Sequence, residues 1–94
     1  MSLDELKENL TERGYEDSVV FENPSYVDVI IGISDEGAVC YSYEKMIKYL
    51  MDTDNMEYED AMEFIDYNTI RALPYASSLG GGGIRPIVIY DDFF

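Results

Sequence analysis

The chain of 94 residues sets 20 Asp and Glu against six Lys and Arg, a net charge of −14, and it holds no His and a single Cys. That balance excludes direct binding to nucleic acid or to an anionic membrane surface, both of which need basic patches. The lack of His removes Ser-His and Cys-His nucleophile pairs, His metal sites and the usual neutral-pH proton shuttle, and a lone thiol cannot form a disulfide within the chain and fits a reducing compartment.

The opening stretch MSLDELKENL is acidic and amphipathic. It lacks the basic-then-apolar pattern of a signal peptide, and no apolar run approaches the ~20 residues that span a bilayer, so the reading is a cytoplasmic protein. Residues 2–13 predict a helix. Ser2 and Glu5 fit a capping box, and Leu3, Leu6 and Leu10 form an apolar stripe. Gly14 is placed to stop this helix in a left-handed conformation, with Tyr15 as its apolar cap partner.

Residues 18–22 read as a short strand, and Asn23-Pro24 as a turn. Residues 26–34 are the best strand candidate, with Val27, Val29, Ile31 and Ile33 alternating onto one face and Tyr26, Asp28 and Ile30 onto the other. Ser34 to Gly37 predicts a hairpin connection, and Ala38–Tyr41 returns as the partner strand, with Cys40 as a small apolar member.

Ser42 caps a second helix over about 43–52, whose buried face is Tyr43, Met46, Ile47 and Leu50. Asp52 to Asn55 breaks it. A third helix runs from about 56 to 66 or further on a stripe of Tyr58, Ala61, Met62 and Ile65. A further turn through Ile70 to Leu73 ends at Pro74, and 77–83 read as a slack Gly-rich connector. Residues 86–90 predict a last strand with Pro86 at its first position. The order α-β-β-β-α-α-β, over one domain spanning 1–94, implies an α+β fold. In it an antiparallel sheet of three to four strands carries helices on one face.

Two motifs invite chemistry. Gly80–Gly83 lacks the G-x-x-x-x-G-K-[ST] pattern of a phosphate loop and leads into a strand. Asp52, Asp54 and Glu63 match three positions of an EF-hand, but Glu57 stands where its sharp turn requires glycine, so no metal is assigned. No carboxylate pair stands out for catalysis. The expectation is a protein without catalytic residues or cofactor.

The acidic stretch 52–66 is the best functional candidate. Asp52, Asp54, Glu57, Glu59, Asp60, Glu63 and Asp66 occur there with no Lys or Arg among them. As one helix the stretch would span roughly 22 Å, about one charge per 3 Å, close to the spacing of ~3.4 Å on one strand of DNA. A solvated helix face gives the same run. Tyr67, Arg71 and Tyr75 follow as candidate contact anchors, with Arg71 placed to pair with Asp66 or Glu63 or to stack on Tyr67 or Tyr75.

The stretches YSYEKMIKYLM (41–51) and EDAMEFIDYNTIRALPY (59–75), with the opening helix and YEDSVVFENP (15–24), resemble a family of small acidic proteins of bacterial genomes and mobile elements. That family has no assigned activity, so the resemblance implies a self-contained bacterial or phage domain and adds no mechanism. The first reading is an acidic protein-interaction module for a basic protein partner, or a homodimer. The second is a DNA mimic that inhibits a nucleic-acid-binding protein. The third is an enzyme using carboxylates or a cation.

Overall fold

The computed structural model describes residues 1–22, 24–71 and 83–91. The first helix, α1, is Leu3–Glu12. Ser2 Oγ accepts the Glu5 amide at 3.2 Å, and Leu6 and Leu10 are buried. Gly14 stops the helix at φ 83°, and the Tyr15 amide closes back onto the Leu10 carbonyl at 2.7 Å.

The segment 18–22 is not a strand. Its ladder contact is a single parallel bridge between Ser18 and Ile84, and the Phe21 amide donates to the Tyr41 hydroxyl at 3.2 Å. Val20 and Phe21 turn inward against the core, and the Phe21 ring lies 4.7 Å from that of Tyr41. Side-chain burial and scattered hydrogen bonds, among them the Val19 amide to the Ile84 carbonyl at 2.8 Å, hold this segment where a strand ladder was expected.

The long strand expected over 26–34 is also shortened. Tyr26 adopts the left-handed conformation, Val27–Val29 form a 3-10 turn, and β1 covers only Ile30–Ile33. A bulge between Ile30 and Gly32 then shifts the register. These two irregularities undo the alternation. Tyr26 and Val29 are buried together, while Ile31 and Ile33 are exposed. The hairpin turn forms as expected. Gly37 sits at φ 92°, and its amide reaches the Ser34 carbonyl at 2.9 Å.

β2, Val39–Ser42, is buried throughout and runs directly into α2, Tyr43–Asp54. The expected apolar face of α2, Tyr43, Met46, Ile47 and Leu50, is buried. α3, Tyr58–Ile65, continues without a break into a π-helical turn, Asp66–Ile70. β3 is Ile87–Ile89.

The fold is α+β, with three helices and a three-stranded sheet of order β1-β2-β3 among the described residues. The sheet is mixed, which corrects the antiparallel expectation. β1 and β2 are antiparallel, whereas β2 and β3 are parallel, with Tyr41 opposite Val88. The physical reason is the connection. The chain leaves β2 straight into α2 and α3, and a crossover of that length lets the next strand re-enter in the same direction. The element order loses the strand expected at 18–22. Ile30, Tyr41 and Val88 belong to the core with residues of all three helices, while Ile87 and Ile89 are exposed. Among the described residues no helix is long and apolar enough to cross a membrane.

Candidate functional site

The acidic run folds as a corner between two helices, not as one rod. α2 continues through Asp54, and Asn55 then takes φ 55°, a left-handed conformation that Asn tolerates better than most residues. Glu57 is extended and caps α3. Asp52 and Asp54 therefore close α2, Glu59 and Asp60 open α3, and Glu63 and Asp66 follow along it. The break expected over Asp52 to Asn55 falls at its last residue, Asn55, and α2 runs two residues beyond the expected end at about 52. With Asp52 and Asp54 inside a helix, and the Thr53 hydroxyl bonded back to the Tyr49 carbonyl at 2.7 Å, no EF-hand-type loop forms.

All seven carboxylates, Asp52, Asp54, Glu57, Glu59, Asp60, Glu63 and Asp66, are exposed. The ion pairs among the described residues are Lys7–Glu22 at 2.6 Å and Lys48–Glu44 at 3.5 Å, and neither reaches this corner. The helix dipole acts on its acids in opposite senses. Glu59 and Asp60 sit in the first turn of α3, where the N-terminal end welcomes negative charge. Asp52 and Asp54 sit in the last turn of α2, which holds no base to offset them. Among the described residues no three His, Cys, Asp or Glu side chains converge as a metal site.

The π-helical turn shapes the far end of the corner. Thr69 points inward and is buried, whereas Tyr67 is 60% exposed. The Arg71 guanidinium lies 4.2 Å from the centre of the Tyr67 ring, a cation–π distance. Of the described partners expected for Arg71, the Tyr67 ring is thus the one its guanidinium meets. Asp66 instead receives a long hydrogen bond of 3.4 Å from the Tyr43 hydroxyl. Tyr75 lies outside the described residues. Glu63 and Tyr67 line two shallow hollows, one shared with Met56 and Phe64, the other with Met62 and Arg71.

Tyr58 was expected in the buried stripe and is 47% exposed, while Ala61 and Ile65 are buried as the spacing requires. It occupies the first position of α3, and that position was the available signal, because a first-turn residue can turn outward without losing the stripe.

A second set of residues, missed in the sequence, fixes the start of α2. The Lys45 amide donates to Ser42 Oγ at 3.1 Å, and Ser42 Oγ donates to Asp91 Oδ2 at 2.5 Å. Asp91 Oδ1 accepts the Glu44 amide at 3.0 Å. Partial desolvation pushes the Asp91 carboxyl up. The bonds from Ser42, from the Glu44 amide and from its own backbone, with the nearby Lys45 charge, outweigh this and hold it below the ordinary 3.8. A residue 47 positions from Glu44 thereby ties the end of β3 to the helix that carries the acidic corner.

Compared with known proteins, the chain matches no family model, no curated protein and no solved structure.

Proposed function

We propose that the protein is a non-catalytic interaction module that binds a basic protein partner through the α2–α3 corner. The observation that carries this reading is the exposure of Asp52, Asp54, Glu57, Glu59, Asp60, Glu63 and Asp66 with no ion pair to a described base. The exposed rings of Tyr58 and Tyr67 add amphipathic contact area beside the charge. Arg71, stacked on Tyr67, would sit at the rim of the contact. The absence of His in the sequence supports a binding role over a catalytic one.

The DNA-mimic reading keeps one specific support. From Glu57 to Asp66 five acids occupy ten residues, about one charge per 3 Å at helical rise, even though the run bends at Asn55. Its target would be a nucleic-acid-binding protein, in keeping with the resemblance to small acidic proteins of mobile elements. A cytoplasmic setting fits both readings.

Pull-down from bacterial lysate at low and high ionic strength tests the proposal. The expected result is a basic partner that elutes with salt and is lost when Glu57, Asp60 and Glu63 are changed to Lys, with the circular dichroism spectrum unchanged. A partner retained by that triple variant would place binding elsewhere on the molecule. Competition by duplex DNA for the captured partner separates the mimic from the general acidic module.

A further inference from the structure

An open groove of about 530 Å³ runs between α1 and β1, lined by none of the residues of the acidic corner. Leu6 and Leu10 of α1 and Ile30 and Ile33 of β1 form its apolar walls, and Asn9 and Arg13 are among its polar groups. In a chain with 20 acids, no Asp or Glu among the described residues lines it. The volume lies in the range of binding clefts.

Three further observations say what chemistry the groove takes. First, β1 is an edge strand of the sheet, and beyond its pairing with β2 no backbone hydrogen bond joins Ile31–Ile33 to another described element. An unpaired edge is a template for an extended chain. Second, a Cβ built on Gly32 meets nothing within 4 Å, so the face of the strand that lines the groove is open at its middle, which leaves room for a side chain of an added strand. Third, the Arg13 guanidinium has no hydrogen bond or ion pair among the described residues, although Lys7 and Lys48 are paired and Arg71 is stacked.

We propose that this groove binds an extended peptide of another protein, which adds as a strand to β1. Its alternate aliphatic side chains lie against Leu6 and Leu10, and an acidic side chain meets Arg13. The mode is strand addition, in which main-chain bonds give affinity and alternate pockets give specificity. Charge argues against a second copy of this chain as occupant. Asp28 precedes β1, and Asp35 and Glu36 follow it, so antiparallel pairing of two β1 edges would set like charges opposite one another. The inference is independent of the acidic corner, whose partner is basic.

The test titrates the full chain with a fluorescein-labelled capped peptide, Glu-Val-Thr-Ile-Thr-Val, at about 0.15 M salt, where a screening length of ~8 Å damps the field of the distant acids. Fluorescence polarisation should saturate. Pro in place of the peptide's Ile should weaken binding on the order of tenfold or more, because it removes a main-chain donor. Gly32→Val, which fills open space, should do the same while leaving the melting midpoint in place. Arg13→Glu should weaken the Glu peptide about tenfold and shift preference to the same peptide carrying Lys. No saturation up to about 1 mM peptide, full binding by Gly32→Val, or equal affinity of Arg13→Glu for both peptides would each overturn the proposal. So would tight binding of decanoate that displaces the Ile and Pro peptides equally, or dimerisation of the chain through β1 in sedimentation.

Discussion

Tyr26 holds φ 53° and ψ 27°, where the Cβ of a non-glycine residue crowds the backbone at about 1–2 kcal/mol. The ring explains why the conformation persists. It is 1% exposed and packs edge-on against Phe21 at 6.0 Å and Tyr49 at 5.7 Å, so burial of a large aromatic outweighs the local strain. Its hydroxyl is buried without a hydrogen-bond partner. Burial pushes the phenol pKa up, and the Thr69 side chain pulls it back part of the way, which makes the two hydroxyls neighbours that do not complete a bond. Tyr26→Phe keeps the ring and removes the orphaned group, so urea unfolding should show stability unchanged or raised by up to about 1 kcal/mol. A loss of more than that would mean that Thr69 does bond the hydroxyl in solution. Tyr26→Ala should cost about 3–5 kcal/mol through the cavity it leaves. None of this was legible in the sequence, where YVDVIIGIS reads as uniform alternation. A left-handed aromatic is set by tertiary packing, and nothing in its neighbours announces it.

Helices and strands differed in how well the chain announced them. α2 follows its apolar spacing residue for residue, because a helix bonds within itself and its stripe needs only one partner surface. The strands depend on bonds to distant segments, so a bulge in β1 and the crossover into β3 changed alternation and direction without any local sign. The acidic run was legible as charge and its break as lying within 52–55, but Asp52 and Asp54, which suit a helix break in isolation, stand within α2. Their position has a consequence. Carboxylates at a helix C-terminus oppose the dipole by about 0.3–1 kcal/mol each, so Asp52→Lys and Asp54→Lys should each raise stability by about that amount while weakening partner binding. Falling stability in either variant would remove the dipole account. At the other end of α2, Asp91→Asn should cost on the order of 1 kcal/mol at neutral pH, because the bonds from the Ser42 hydroxyl and the Glu44 amide then go to a neutral group in place of a charged one. The pH dependence has a defined sign. The folded carboxyl lies below its ordinary 3.8, so its contribution is complete above that value and is lost as pH falls through the lower folded value. The gap between wild type and Asp91→Asn should therefore narrow below pH 3.8. A gap of constant size down to acid unfolding would assign the effect to shape instead of charge.

A net charge of −14 on 94 residues acts on folding and on binding in opposite directions. In the folded chain the acids are held closer together than in the unfolded one, so their mutual repulsion opposes folding. Toward a basic partner the same field attracts. Added salt screens both. Raising sodium chloride from about 20 mM to about 200 mM shortens the screening length from ~20 Å to ~7 Å. The thermal midpoint should then rise by several degrees, since about 1 kcal/mol corresponds to ~4–8 °C for a chain of this size. The affinity for the captured partner should fall over the same range. Charge reversal at Glu57, Asp60 and Glu63 should flatten both responses, because it removes net charge where the carboxylates are densest. The exposed pair Lys7–Glu22 should contribute little to either trend, as surface pairs do. A midpoint that falls with salt would mean that attraction between unlike charges, and not repulsion among the acids, governs the folded state. Partner affinity that stays constant while the midpoint rises would separate the two effects and leave the acidic corner as a solvated surface.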